Sequence, residues 1–291
     1  VQRTLSAAFN TQLSGFRKRE SVKYTCTYWI VSNMDQTTGY SVEENILRNS
    51  YAIRSYEVNA GGRLSIPSIF NLLQDAASGH ALKLGVSVPQ LLAGNYTWVL
   101  SRIYLKMDQY PGWGDTIQVH TWPSGIQRVF ALRDFDIRMN GRTIGSCVSA
   151  WIIIDAANRR PARPTSFARQ LNPVERPHVV VHSLGKLTPL KTPQIEKRFS
   201  VRYRDLDINQ HVNNVSYIEW LLECSPGIAD SDRFLSELEV NFLGEAFHGD
   251  MVMARCCHQE ENGMQVAHDV LRETDGRELI RARTSWVKTG N

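Results

Sequence analysis

The chain repeats itself. Shifted by 148 positions, Ile53-Arg54 falls on Val201-Arg202, Glu57 on Asp205 and Val58 on Leu206, and Ile69, Phe70 and Leu73 fall on Tyr217, Ile218 and Leu221. Further along, a shift of 135 aligns Gly114-Asp115 with Gly249-Asp250, Gly141-Arg142 with Gly276-Arg277, and Trp151 with Trp286. The second copy is therefore thirteen residues shorter (148 − 135), where the first holds the loop-like stretch around Gly85 to Tyr96. A long internal repeat constrains architecture before any local signal does. Two copies, each roughly the size of a small domain, predict a duplication and not a solenoid.

Each copy reads as a short strand, a turn, an apolar helix and then several strands. In the first, Ser65 is a helix-capping residue with Pro67 in the first turn, where proline costs no hydrogen bond. Ile66, Ile69, Phe70, Leu72, Leu73, Ala76 and Ala77 cover much of that helix, which predicts deep burial. Strands are expected over 98–107, 116–122, 127–139 and 143–155, with Asn140-Gly141 as a hairpin turn. The second copy repeats the order over 235–243, 251–258, 264–272 and 278–288, with Asp275-Gly276 at the turn. The expected class is α+β, with two antiparallel sheets each wrapped round a long central helix.

Between the copies, residues 156–195 hold six of the eleven prolines and read as a linker over the surface. The expected organisation is an N-terminal extension over 1–44, a first unit over 45–155, the linker, and a second unit over 196–291. Residues 1–33 find no counterpart in the second copy and carry one acid, Glu20. They read as upstream or processing sequence outside the fold, or as the tail of an organelle transit peptide.

Composition excludes some classes. No apolar run is long enough to span a bilayer, and a net charge of +4 is too mild to argue for nucleic acid. Cys26, Cys147, Cys224, Cys256 and Cys257 show no metal-ligand spacing and leave an odd count. Free thiols in a reducing compartment are the simpler reading.

The copies differ where chemistry is expected. Asp207, Asn209 and His211 stand at alternate positions ahead of the apolar run Val215 to Leu222, whereas the first copy has Asn59, Gly61 and Arg63 there. An acid, an amide and an imidazole ahead of a helix start bring a base, an orienting group and free backbone donors together. That combination suits a reaction that builds negative charge on a carbonyl oxygen. The second unit is thus the expected catalytic half, and the first a scaffold or substrate-binding half.

The run Asp205-Leu-Asp-Ile-Asn-Gln-His-Val-Asn-Asn214, followed by Tyr217 and Trp220, resembles the signature of the acyl-acyl carrier protein thioesterases of plants and bacteria. Arg54 to Val58 and Gly62 to Pro67 resemble the opening of the bacterial members, and the likeness covers about residues 45 to 289. The resemblance implies a tandem (double) hotdog fold and release of a free fatty acid from its carrier protein. It implies that Asp207, Asn209 and His211 act with a downstream Glu, which the matching segment Leu238 to Ala246 puts at Glu245. Plant relatives carry a Cys directly after that Glu. This chain has Ala246, so hydrolysis by activated water is the expected route.

On this reading Glu245 and His211 position water and transfer its proton, either one being the base. Asn209 orients the carbonyl or the water, and Asp207 holds Asn209 and the loop or acts on the water itself. Backbone N–H groups near Asn213 and Asn214, both also expected to cap the helix, would receive the oxyanion. Ile69, Phe70, Leu73 and Ala77 of the first helix, with the strands near Trp98 and Ile103, are the candidate walls of an acyl tunnel. Arg128, Arg133, Arg159, Arg160 and Arg163 are candidates for docking an acidic carrier. No metal or organic cofactor is implied, and a monomer or a homodimer is compatible. The cytoplasm of a bacterium, or a plastid in a plant or alga, is the expected place. Alternatives are an acyl-CoA thioesterase, a hotdog hydratase and a non-catalytic acyl-binding protein.

Overall fold

The computed structural model describes residues 41–43, 45–225, 233–259 and 264–288. The expectation for residues 1–33 lies outside these.

The first half comprises β1 (Ser41–Glu43), β2 (Ile46–Ala52), α1 (Ile66–Lys83), α2 (Val88–Ala93), β3 (Tyr96–Met107), β4 (Thr116–Gln127), β5 (Phe130–Met139) and β6 (Arg142–Asp155). After the connecting segment, with its one-turn α3 (Ala168–Leu171), come β7 (Ile195–Ser200), α4 (Asn214–Cys224), β8 (Arg233–Phe242), β9 (Met251–His258), β10 (Gln265–Arg272) and β11 (Glu278–Lys288). Among the described residues the strands form one antiparallel sheet of eleven, ordered β1-β2-β4-β5-β6-β3-β8-β11-β10-β9-β7. The two expected sheets are thus joined edge to edge. The seam is β3 against β8, the equivalent strands of the two copies, with Arg102 opposite Asn241 and Lys106 opposite Glu237. Pairing the two edges removes a pair of unsatisfied strand borders from solvent.

The repeat is kept at the level of single hydrogen bonds. Glu57 accepts from the Arg54 amide at 2.7 Å, as Asp205 does from Arg202 at 2.7 Å. The Ile53 amide donates to the Asp115 carbonyl at 2.8 Å, and Val201 to Asp250 at 2.9 Å. Trp151 Nε1 donates to Ser149 at 2.9 Å, and Trp286 Nε1 to Thr284 at 3.0 Å. Gly114 (φ 88°) and Gly249 (φ 86°) take the same left-handed turn, which a side chain would strain.

Both helices pack on the same face of the sheet and share one apolar core. Ser65 caps α1, accepting from Ser68 at 3.3 Å, and its counterpart Asn213 caps α4, accepting from Val215 at 3.0 Å. α1 is buried on most sides because it faces both the sheet and α4. Ile218 and Leu221 of α4 are fully buried, and truncating either to Ala would cost about 2–5 kcal/mol.

The proline-rich segment does more than run over the surface. It straps the opposite face of the sheet and supplies hydrogen-bond partners to the polar side chains that it buries there. Asp134 accepts from His178 at 3.0 Å and from the Val179 amide at 3.1 Å. Asn241 accepts from the Leu187 amide at 2.8 Å, and His182 stacks on Tyr104 at 3.8 Å.

Candidate active site

The loop that carries Asp207, Asn209 and His211 is a tight turn closed by the Asp207 carboxylate. Its Oδ1 accepts from the backbone amides of Asn209 (2.7 Å) and His211 (3.3 Å). The first copy builds the same turn with Asn59, whose Oδ1 accepts from Gly61 (3.0 Å) and Arg63 (3.1 Å). The Asp207 amide donates to the His211 carbonyl at 2.8 Å, and Asn59 to Arg63 at 2.8 Å. Gln210 takes a left-handed conformation (φ 63°) where the first copy uses Gly62 (φ 72°). The turn is therefore inherited scaffold, and what is particular to the second half is the set of side chains it displays. Asn209 stands exposed, its Nδ2 3.4 Å from Asp207 Oδ2.

His211 is half-buried against the edge of the Phe247 ring, with centroids 5.2 Å apart. Its Nδ1 lies 3.6 Å from Glu245 Oε1, beyond hydrogen-bond length but within the tightening expected on substrate binding. Glu245 emerges just past β8. Gly244 lets the backbone pass close to β11, because a Cβ there would sit 3.1 Å from Leu279 Cδ2 and 3.3 Å from the Glu278 carbonyl. The neighbouring Ala246 is fully buried, donates to the Tyr217 hydroxyl at 2.8 Å and accepts from the Val212 amide at 3.0 Å. Ala246 offers no nucleophile. In the first copy Tyr110 stands at the place of Glu245, its hydroxyl donating to the Leu235 carbonyl at 2.7 Å.

One further residue reaches the site from the other half. β6 and β8 run in the same direction on either side of β3, so their C-terminal ends lie at the same rim of the sheet. Arg159, in a left-handed turn after β6 (φ 60°), donates to Glu245 Oε2. Burial pushes the Glu245 carboxyl up, but the Arg159 hydrogen bond and the positive fields of His211, Arg159 and Arg277 outweigh it. Its pKa therefore sits below the ordinary carboxylate range. The sequence marked Arg159 only as a docking candidate, because a partner 86 residues away leaves no local pattern. Arg133, another of those candidates, is buried and unavailable to a docking partner.

Asn213 and Asn214 divide the roles expected of them. The Asn213 amide donates to the Asp205 carbonyl at 2.8 Å, which takes it out of use as an oxyanion donor. Asn214 is not a cap but the first residue of α4, so its N–H has no acceptor within the helix. Asn214 also lines a narrow apolar cavity with Val215, with Phe70, Leu73 and Ala77 of α1, and with Leu100, Ile103, Phe135 and Trp151 of the sheet. Its free volume is ≈ 20 Å³, about one water, so an acyl chain requires the walls to part. Phe70 and Leu73 lie on this cavity. Ile69 is buried in the main core instead, and Trp98 packs in a separate small cluster, its Nε1 donating to the Val86 carbonyl at 2.8 Å.

The site lies within a chain whose relatives are known. Residues 44–166 match the family model of the acyl-ACP thioesterase N-terminal domain, and residues 189–288 that of the C-terminal domain. The chain is 31% identical over 266 residues to a chloroplastic palmitoyl-acyl carrier protein thioesterase of Arabidopsis thaliana, covering 83% of this chain and 64% of that one. It thus spans less than two thirds of the length of that relative. A chloroplastic dodecanoyl-acyl carrier protein hydrolase of Cinnamomum camphora is 28% identical, covering 83% of this chain and 67% of that one. Two solved structures share the fold. A 12:0-ACP thioesterase from Umbellularia californica has a TM-score of 0.77 at 26% identity, covering 86% of this chain and 100% of that one. An acyl-ACP thioesterase from Bacteroides thetaiotaomicron has a TM-score of 0.76 at 25% identity, covering 84% and 100%.

Proposed function

The chain belongs to the acyl-ACP thioesterase family, and from that premise we propose that it hydrolyses acyl-acyl carrier protein to free fatty acid and carrier protein. Residues 45–155 form the substrate-binding half and residues 196–291 the catalytic half. The observation that carries the reading is the position of Asn214. It opens α4 directly after the loop that displays His211, and it lines the apolar cavity, so an acyl chain in the cavity leaves its thioester beside the motif.

The thioester carbonyl oxygen receives the Asn214 N–H, reinforced by the positive end of the α4 dipole, as it becomes an oxyanion. Asn209 donates to the same oxygen or to the attacking water. His211 takes the proton of that water. Glu245, held ionised, is a poor proton acceptor but a good partner for the positive charge the ring acquires. Asp207 holds the turn and Arg159 holds Glu245; both are positioning residues. The tetrahedral intermediate then collapses, the C–S bond breaks, and the proton on His211 returns to the departing thiolate.

Among the described residues no helix is long and apolar enough to cross a membrane. The matched plant relatives are chloroplastic, and this reading places the chain in a plastid if its source is a plant or alga, or in the cytoplasm if bacterial.

The test is free-acid release from acyl carrier protein and acyl-CoA substrates of eight to eighteen carbons. The expected result is faster turnover of carrier-protein substrates, lost in His211→Ala and Glu245→Ala. Faster turnover of CoA esters would move the assignment to an acyl-CoA thioesterase. Absence of hydrolysis of either would refute the reading.

A further inference from the structure

We propose that the deep end of the acyl cavity is a polar subsite, made by Arg133 and His80, for an acyl chain that carries an oxygen near its far end. The inference rests on the thioesterase reading and narrows its substrate class. The cavity follows α1 from Phe70 through Leu73 to Ala77, and Ser149 lies on its opposite wall. His80 is three residues beyond Ala77 on the same helix face, about 15 Å along the axis from Phe70. Arg133 is directly opposite Ser149 in the β5–β6 register, on the sheet face that α1 covers. The two residues next to the last walls of the cavity are therefore a cation and an imidazole.

The imidazole lacks a hydrogen-bond partner at one nitrogen among the described residues, and the guanidinium lacks a counter-ion there. Arg133 is 8% exposed, and its Nη1 donates to His80 Nδ1 and Thr121 Oγ1, both at 3.1 Å. It forms no ion pair with a carboxylate of the described residues, and burial alone draws it down to about 10. His80 is completely buried. Since Nδ1 accepts from Arg133, the ring proton is on Nε2, which has no hydrogen-bond partner among the described residues. Burial, then the field of Arg133, hold His80 at about 3, so the pair carries one fixed positive charge. A buried guanidinium without a counter-ion is costly, and a fold retains one where something compensates it.

The other half shows that the charge is not required by the architecture. The counterpart of Arg133, 135 positions on, is His268, which meets Thr284 at 2.9 Å as a neutral pair. The cation is thus confined to the half whose helix α1 walls the cavity. A hydroxyl, carbonyl or carboxylate near the end of the acyl chain would accept from Arg133 and His80. A terminal methyl group gains nothing there.

Acyl carrier protein substrates of equal length that end in methyl, hydroxyl or carboxyl, assayed on the full chain, test this directly. The expected result is a KM lower by about tenfold or more for an oxygenated chain, the worth of one hydrogen bond to a charged group. Which oxygenated end gains more separates hydroxyl from carboxylate recognition. In Arg133→Met the ratio should fall to about one, and Arg133→Lys should restore part of it. Calorimetric binding of the matching free acids reads the same preference without turnover, and wild-type protein alone suffices if a variant does not fold. Equal KM and equal binding for all three ends, or a preference that survives Arg133→Met, would overturn the inference. Absence of hydrolysis of every substrate alongside preferential binding of oxygenated acids would sink the hydrolase reading and leave the subsite standing.

Discussion

Replacing Asp207 by Asn and by Ala separates two roles that the motif alone leaves mixed. The carboxylate accepts two backbone hydrogen bonds at 2.7 and 3.3 Å, and the first copy makes both with the amide oxygen of Asn59. Asn at 207 therefore has a working precedent 148 positions earlier in the same chain. Neutral acceptors make bonds about half as strong as charged ones. The Asn variant should lose about 1 kcal/mol of loop stability, which populates the productive turn about fivefold less. The Ala variant loses both bonds, about 2–3 kcal/mol in a loop this exposed, and its activity should fall by roughly a hundredfold. The assay is kcat/KM on one acyl-carrier-protein substrate, with melting temperatures to show that both variants are folded. Should the Asn variant prove folded and as inactive as Ala, the carboxylate acts on the water or the thioester itself, and the argument from the repeat is refuted.

Three other outcomes are expected. Tyr217→Phe strands the fully buried Ala246 amide and should cost about 1–3 kcal/mol in chemical denaturation, with a loss of activity because Glu245 is the adjacent residue; an unchanged midpoint would contradict this. Arg159→Met removes the hydrogen bond that keeps the Glu245 carboxyl below its ordinary range. A carboxylate depressed in the folded state stabilises the fold above its unfolded pKa and loses that contribution as pH falls through the folded value. The variant should therefore be less stable than wild type at neutral pH, with the difference closing as pH falls through that value, and a gap in melting temperature that does not close on acidification would refute the role of Arg159. Asn213→Ala should lower stability by about 0.5–2 kcal/mol by uncapping α4. Ser65→Ala should cost less, because its capping bond is 3.3 Å long against 3.0 Å, and thermal unfolding of the two variants checks the order.

Much of the fold was legible because its signals are local and occur twice. The strands over 251–258 and 278–288 begin and end where the alternation and the Asp275-Gly276 turn place them. The cap at Ser65 and the burial of Ile66, Ile69, Phe70, Leu72, Leu73, Ala76 and Ala77 follow from a capping residue and from helical spacing. Strand β4 runs on to Gln127, five residues past the expected end, because Pro123 and Gly125 sit at a bulge that the pairing with β5 absorbs. The strapping by the proline-rich segment was not legible. Its partners Asp134 and Asn241 lie 45 and 54 positions from the amides they accept from, and no spacing ties them to it.

The site divides along the same line. Sequence alone determined the duplication, the grouping of Asp207, Asn209 and His211 in one loop, and the absence of a thiol at Ala246, because each lies in a contiguous stretch or a fixed offset. Only the tertiary structure decided that Asn214 and not Asn213 has a free amide, that Phe70 and Leu73 and not Ile69 wall the cavity, and that Arg159 meets Glu245. It also decided that Arg133 is buried against His80 and not displayed to a partner. These are outcomes of which strand edges pair and which face a side chain takes. A single sequence carries no period or spacing for a contact between residues 53 or 86 positions apart.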